Sequence, residues 1–249
     1  MPAVSIHSLC KTYKDAVEPS LNSISLEIPR ATIFGFLGPN GAGKTTTLSI
    51  LCGLVKATSG SAKILGKDVS KELKEIKKCI GMVPQDIALF PSLTGQENLT
   101  YFGNLYGLKG KVLENKIEHY LDTFGLTNNA HKRVSQYSGG MKRRINLIAG
   151  ILHDPQLLIL DEPTVGVDVQ SRKMISDFLK SYNKANGITI LYTSHMLDEA
   201  EKLCDEVAII DHGKIVTQGA PQTLIAQQEN CQSLEALFIQ LTGRSVRDH

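Results

Sequence analysis

No apolar run in this 249-residue sequence approaches the ~20 residues that a membrane-crossing helix needs. Charge of one sign is also missing. Twenty-seven basic residues stand against 25 acidic ones, and a net charge of +2 leaves no footprint for nucleic acid. Lys142, Arg143 and Arg144 form the only tight basic cluster, of the kind expected on a solvated helix face. The five cysteines (Cys10, Cys52, Cys79, Cys204 and Cys231) contain no C-x-x-C pair and are odd in number, which predicts free thiols in a reducing compartment. Met1-Pro2-Ala3-Val4 lacks the charged-then-apolar pattern of a secretory leader. There is no internal repeat and no low-complexity stretch. These absences predict a soluble cytosolic protein, one that could still sit on a membrane partner.

An apolar fraction of 42% is enough to bury a proper core. The most informative segment is Gly38-Pro39-Asn40-Gly41-Ala42-Gly43-Lys44-Thr45, followed by Thr46. Its glycines let the backbone curl until successive N–H groups point inward around an anion. Lys44 then reaches the β- and γ-phosphates of a nucleotide, and the Thr45 hydroxyl serves Mg²⁺. The flanks fit: Thr32 to Leu37 reads as a strand, and Thr46 to Cys52 as a helix stopped by Gly53. This order aims a helix N-terminus at a phosphate.

Elsewhere, residues 4 to 37 are strand-rich, with Ile24, Leu26 and Ile28 alternating, and shorter strands are predicted at Ala62 to Leu65 and Cys79 to Val83. From Thr94 to Leu152 the pattern is helical. It opens with a capping box at Thr94 and Glu97 and a face of Leu99, Phe102 and Leu105. Leu157 to Leu160 and Ile188 to Tyr192 are apolar enough for strands buried on both faces, joined by a crossover helix over Gln170 to Ala185. Glu206 to Asp211 and Lys214 to Gln218 form a hairpin about His212-Gly213. Leu234, Leu237, Phe238 and Leu241, between Ser233 and Gly243, describe a last amphipathic helix. The sum is an α/β core interrupted by a helical insert.

Two further constellations bear on the phosphate loop. Leu157 to Leu160 delivers Asp161 and Glu162 at a strand's C-terminal end, where ligands bind in parallel sheets. Asp161 suits Mg²⁺ through its water shell, and Glu162 suits a general base or an orienter for the attacking water. Ser138-Gly139-Gly140-Met141 opens a helix whose free N–H groups make a second anion site. A phosphate held between the glycine loop of one molecule and the serine-glycine turn of another uses both sites.

In these residues the chain resembles the nucleotide-binding subunits of the ATP-binding cassette family, over roughly residues 4 to 220. The family's Leu-Ser-Gly-Gly-Gln signature stands here as Tyr137-Ser138-Gly139-Gly140-Met141. The resemblance implies that Tyr13 stacks on adenine and that Gln85 contacts Mg²⁺ and senses a membrane partner. It also implies that Val165-Gly166-Val167-Asp168 crosses a dimer interface and that His195 contacts the γ-phosphate. The branch most alike is that of drug, lipid and polysaccharide exporters, including daunorubicin-resistance ATPases. Two departures stand out: Met141 for the signature glutamine, and Val169 for a proline common after the interface aspartate.

The implied fold is an α/β P-loop NTPase core with a mixed sheet, an N-terminal antiparallel β-subdomain and an inserted helical subdomain over about 86–154. The implied boundaries are 1–220 for the nucleotide-binding unit and 221–249 for a C-terminal extension. The implied function is hydrolysis of ATP with Mg²⁺, with Glu162, His195 and Lys44 catalytic, in a homodimer or heterodimer on the cytoplasmic face of a separate integral membrane permease. No nucleic acid is expected. The alternatives are a soluble cassette ATPase working on ribosomes or nucleic acid, an importer ATPase, and a non-hydrolysing regulatory subunit. Tandem cassettes or a coiled-coil insertion, which would favour the first, are absent from this sequence. Glu162 and His195 speak against the last.

Overall fold

The structure, a computed structural model, describes residues 1–14 and 16–243. Strand β1 (Val4–Lys11) pairs antiparallel with β2 (Leu21–Ile28) and buries Val4, Ile6 and Leu9 on one face. The step from Ile6 to Leu9 breaks the period of two. A register shift there, with Ser8 at φ 44°, returns Leu9 to the core. β3 (Ile33–Leu37) is buried at every position and runs through the glycine loop into α1 (Lys44–Leu51). β4 (Ser59–Ile64) and the short β5 (Lys67–Asp68) complete a four-stranded antiparallel sheet of order β2-β1-β4-β5.

A helix not anticipated from the sequence, α2 (Leu73–Cys79), leads into β6 (Ile80–Val83). Leu73, Ile76 and Cys79 recur at steps of three among charged residues, but the helix has only seven residues, too short a stretch for that period to stand out. The chain then turns helical through α3 (Gly95–Leu105), α4 (Gly110–Thr123) and α5 (Gly139–Ile151). The capping box is present: Thr94 Oγ1 accepts the Glu97 N–H, and Glu97 Oε2 accepts the Thr94 N–H. The expected face of α3 holds at Leu99, which is fully buried, and fails at Leu105, which is 64% exposed. Steps of three fall short of the 3.6-residue turn, and by the second step the side chain has rotated away.

β7 (Leu157–Asp161), α6 (Val169–Asn186), β8 (Thr189–Ser194), α7 (Leu197–Leu203), β9 (Glu206–Asp211) and β10 (Lys214–Gly219) follow, and α8 (Pro221–Ala226) and α9 (Leu234–Thr242) end the described chain. The second sheet has the order β10-β9-β3-β8-β7-β6, parallel except for β10. Alternation along its strands divides the core in two. Leu157 and Ile159 of β7 and Phe34 and Phe36 of β3 join the cluster shared with the antiparallel sheet. Leu158, Leu160, Ile33 and Leu37 join the cluster shared with the helices. This double burial explains the unbroken apolar runs. α9 docks Leu234, Leu237 and Phe238 into the helical cluster, while Leu241, expected on the same stripe, is 38% exposed beside the Gly243 cap. The fold is an α/β P-loop NTPase with an antiparallel sheet, a mixed sheet and helices. The C-terminal ends of β3, β6, β7 and β8 point the same way, and they carry the candidate site.

Candidate nucleotide site

Lys44 is the first residue of α1 and is 4% exposed. The turn before it requires Gly43: φ is 112°, and a Cβ there would stand 2.7 Å from the Ser20 carbonyl oxygen. The Lys44 ammonium donates to the carbonyl oxygens of Gly38 (2.7 Å) and Pro39 (3.1 Å) and lies 3.3 Å from Glu162 Oε1. Burial pulls this ammonium below its usual range, against the opposing pull of Glu162. Asn40, Gly41, Gly43, Lys44, Thr45 and Thr46 line a cavity of about 420 Å³, closed on other sides by Ser20, Gln85 and Glu162. Gly38, Pro39 and Ala42 complete the curl behind it, the Ala42 N–H donating to the Pro39 carbonyl (3.2 Å).

Three side chains distant in the sequence converge on the Glu162 carboxylate, which is itself 5% exposed. Lys44 meets Oε1. On Oε2, Gln85 Nε2 donates at 3.4 Å, and His195 Nδ1 stands 3.2 Å away without the alignment of a hydrogen bond. Glu162 adopts a left-handed backbone, φ 47°, an uncommon state for a residue with a Cβ. Its N–H donates to Thr193 Oγ1 (3.0 Å), whose hydroxyl also bonds Asp161 Oδ1 (2.8 Å). Burial raises the Asp161 carboxyl above its ordinary range. Hydrogen bonds from Thr193 and Thr45 and the nearby Lys44 charge pull it back.

The other sequence-predicted residues lie outside this cavity. Tyr13 is 42% exposed, with Lys11 Nζ 4.9 Å from its ring centre. Ser138 is exposed and caps α5, its Oγ accepting the Met141 N–H at 3.3 Å, and Gly139 is exposed beside it. Gly140 is buried so tightly that a Cβ would meet Ser171 Oγ at 2.6 Å and Asp168 Oδ2 at 3.0 Å. Asp168 caps α6, and the Ser171 N–H on Oδ1 (2.9 Å) holds its carboxyl below the usual range. The structure therefore gathers these residues into two groups. Lys44, Thr45, Gln85, Asp161, Glu162 and His195 form one; Ser138 to Met141 with Asp168 form the other; Tyr13 joins neither.

A further expectation is overturned. Arg143 belongs to no solvated face: it is 7% exposed, and its guanidinium donates to the carbonyls of Gln85 (2.6 Å), Pro84 (3.4 Å) and Val165 (3.3 Å). Its neighbour Arg144 donates to the Phe124 carbonyl at 2.8 Å. Arginine satisfies three carbonyls at once through its planar fork. Thr193 was also missed, because threonine in a strand reads as ordinary β-branched packing.

The sequence pattern of the ABC transporter family matches residues 21–165, a stretch that includes the glycine loop, Ser138 to Met141 and the Asp161-Glu162 pair. The chain belongs to the ABC transporter family. It is 44% identical over 207 residues to a linearmycin resistance ATP-binding protein of Bacillus subtilis, covering 83% of this chain and 66% of that protein. It is 40% identical over 232 residues to a Nod factor export ATP-binding protein of Cupriavidus pinatubonensis, covering 93% of this chain and 70% of that one. Among solved structures, the dimeric post-hydrolysis state of the ATP-binding cassette MJ0796 bound to ADP and Pi superposes with a TM-score of 0.80 at 25% identity, covering 87% of this chain and 98% of that one. The present ABC chain is accordingly an ATP-binding ATPase subunit. Among its described residues no helix is long and apolar enough to cross a membrane.

Proposed function

We propose that this chain is the ATPase subunit of an exporter, peripheral on the cytoplasmic face of a membrane, which drives a separate integral permease. The observation that carries the reading is the convergence of Lys44, Gln85 and His195 on Glu162 beside the glycine-loop cavity. The linearmycin-resistance and Nod-factor-export relatives favour the export direction. The nucleotide-binding unit is taken as 1–220 with a helical insert over about 86–154, and 221–249 as an extension.

In this reading ATP enters with adenine on Tyr13 and phosphates on the glycine loop, 38–46. Lys44 exchanges its loop carbonyls and Glu162 for the β- and γ-phosphates. Mg²⁺ would be held by Thr45 and Asp161, whose oxygens already hydrogen-bond each other, because this ion binds through one or two carboxylates and fills its other positions with water, phosphate and neutral oxygens. Gln85 adds an amide oxygen. Bound there, the ion neutralises charge on the phosphate oxygens.

A second molecule, another copy or a related subunit, then closes head to tail. Its Ser138 hydroxyl, turned away from the Met141 N–H that it caps in the unliganded chain, and the Gly139, Gly140 and Met141 N–H groups cap the γ-phosphate, and Asp168 crosses the interface. Glu162, freed from Lys44, takes a proton from the water whose oxygen attacks the γ-phosphorus. The bond from that phosphorus to the bridging oxygen breaks, leaving ADP and inorganic phosphate. Lys44, His195 and the opposing helix N-terminus stabilise the equatorial charge. Loss of the bridging phosphate opens the dimer, and that movement is passed to the permease.

The test is detergent extraction of tagged protein from its host, with mass spectrometry of what accompanies it. A stoichiometric multi-pass membrane protein is the expected outcome. Ribosomal or DNA-associated proteins alone would refute the transport assignment.

A further inference from the structure

Glu199, in α7, is 9% exposed and carries a carboxylate that the hydrolytic scheme above does not use. Its Oε2 accepts two short hydrogen bonds, from Thr164 Oγ1 (2.6 Å) and Tyr192 Oη (2.6 Å), and those two hydroxyls are 3.1 Å apart. Both donors are fully enclosed, Thr164 at 1% and Tyr192 at 0% exposure. Arg172 Nε lies 3.8 Å from Oε1, and neither of those atoms has a hydrogen-bond partner. Burying a carboxylate is costly, and an apolar side chain would fill the same volume at no such cost. Packing alone does not account for an acid here.

The positions of its partners do. Thr164 is two residues beyond Glu162, in the turn closed by the Val165 N–H on the Glu162 carbonyl (3.3 Å). Glu199 is one helical turn beyond His195, and only Met196 separates that histidine from α7, with the Met196 N–H held by Ser194 Oγ (2.8 Å). Glu162 itself sits at φ 47°, a conformation that persists only where the surroundings over-determine it. The Thr193 hydroxyl fixes the residue's N–H, and the Thr164–Glu199 bond fixes the chain on its other side.

We propose that Glu199 is a positioning residue for hydrolysis: through Thr164 it ties the turn carrying Glu162 to the helix that follows His195, and so keeps these two groups in register across the attacking water. Tyr192 is a second donor that helps seat the carboxylate but does not make the link. The inference rests on the reading of Glu162 as base. It extends that reading to residues that touch neither nucleotide nor metal.

The experiment compares Thr164→Val, Thr164→Ser, Glu199→Met, Tyr192→Phe and, in parallel, Glu162→Gln. Each is assayed for kcat, KM for MgATP, ATP-driven dimerisation and thermal midpoint. Small misplacements of catalytic groups cost up to about 100-fold in rate, so Thr164→Val is expected to lower kcat by about tenfold or more. Its KM and dimerisation should stay within about threefold of the unaltered protein, the pattern of a lost transition-state contact. Thr164→Ser keeps the hydroxyl and is expected to restore kcat. The Thr164→Val/Glu199→Met double variant should be no slower than Glu199→Met alone, because both changes cut one link.

Tyr192→Phe should lower the thermal midpoint and leave kcat within about threefold. The proposal is overturned if Thr164→Val slows kcat less than about tenfold, or if Tyr192→Phe slows it as much as Thr164→Val does, since general loosening of the core predicts that equality. If Glu162→Gln kills turnover while Thr164→Val does not, only the positioning role fails. If Glu162→Gln retains turnover, the base assignment fails instead.

Discussion

Lys44→Met tests the unliganded site through a pair that the structure buries together. The ammonium and the Glu162 carboxylate are 4% and 5% exposed and 3.3 Å apart. Hydrogen bonds to charged groups contribute about 1.5–3 kcal/mol, and strong charge-assisted N–H···O bonds are about 2.7–2.9 Å long. The longer contact here belongs at the low end, about 1.5 kcal/mol. Lys44→Met also removes two bonds to loop carbonyls and relieves the burial of an ammonium, so the single variant mixes opposing effects. A double-mutant cycle with Glu162→Gln isolates the pair.

In a protein of this size 1 kcal/mol moves the melting midpoint by about 2–4 °C, so the coupling should appear as ~3–6 °C of non-additivity in apo protein at pH 7. The same Lys44→Met protein should bind ATP about 10- to 150-fold more weakly by calorimetry, the equivalent of one charged contact to phosphate. Additivity of the two variants within about 0.3 kcal/mol would refute the pairing, and unchanged ATP affinity would refute the phosphate role.

Asp161→Asn should raise the melting midpoint of the unliganded protein at pH 7 and abolish the further rise produced by MgATP. The fold raises this carboxyl's pKa, so its charged form costs stability above that pKa, and the cost vanishes as pH falls through the raised value towards the unfolded one. The stability gap between Asp161→Asn and the unaltered protein should therefore close on acidification towards pH ~4, read by thermal scans across pH. Ser138→Arg should leave ATP binding by the 27.2 kDa monomer intact and prevent an ATP-dependent dimer in light scattering. Loss of its cap to the Met141 N–H should cost about 1 kcal/mol, or ~2–4 °C.

The parts of the site that were legible in the sequence are those whose chemistry is local. The glycine loop, Lys44 and Thr45 are contiguous, and their φ and contact demands fall on neighbouring residues. Asp161 and Glu162 announce themselves by ending an apolar strand. The helix caps at Thr94, Ser233 and Gly243 are local as well. Arg143 was misread because what buries it lies 58 residues away at Gln85 and 22 away at Val165, and nothing in Lys142-Arg143-Arg144 distinguishes the middle side chain from its neighbours. The Thr164–Tyr192–Glu199 cluster escaped for the same reason. Each residue has an ordinary local reading, as turn, strand or helix face, and only β8 lying beside β7 brings the three together. The left-handed backbone of Glu162 has no sequence signal, since glutamate rarely adopts it.

In the proposed cycle ATP is hydrolysed only between two molecules, with Glu162 of one facing Ser138 of the other. This is tested most directly by size-exclusion chromatography with light scattering on Glu162→Gln in ATP, with ADP as the control. A species of twice the monomer mass in ATP, absent in ADP and accompanied by little phosphate release, is the expected result. A chain that remains monomeric in ATP, or one that turns over ATP as the unaltered protein does, would contradict it.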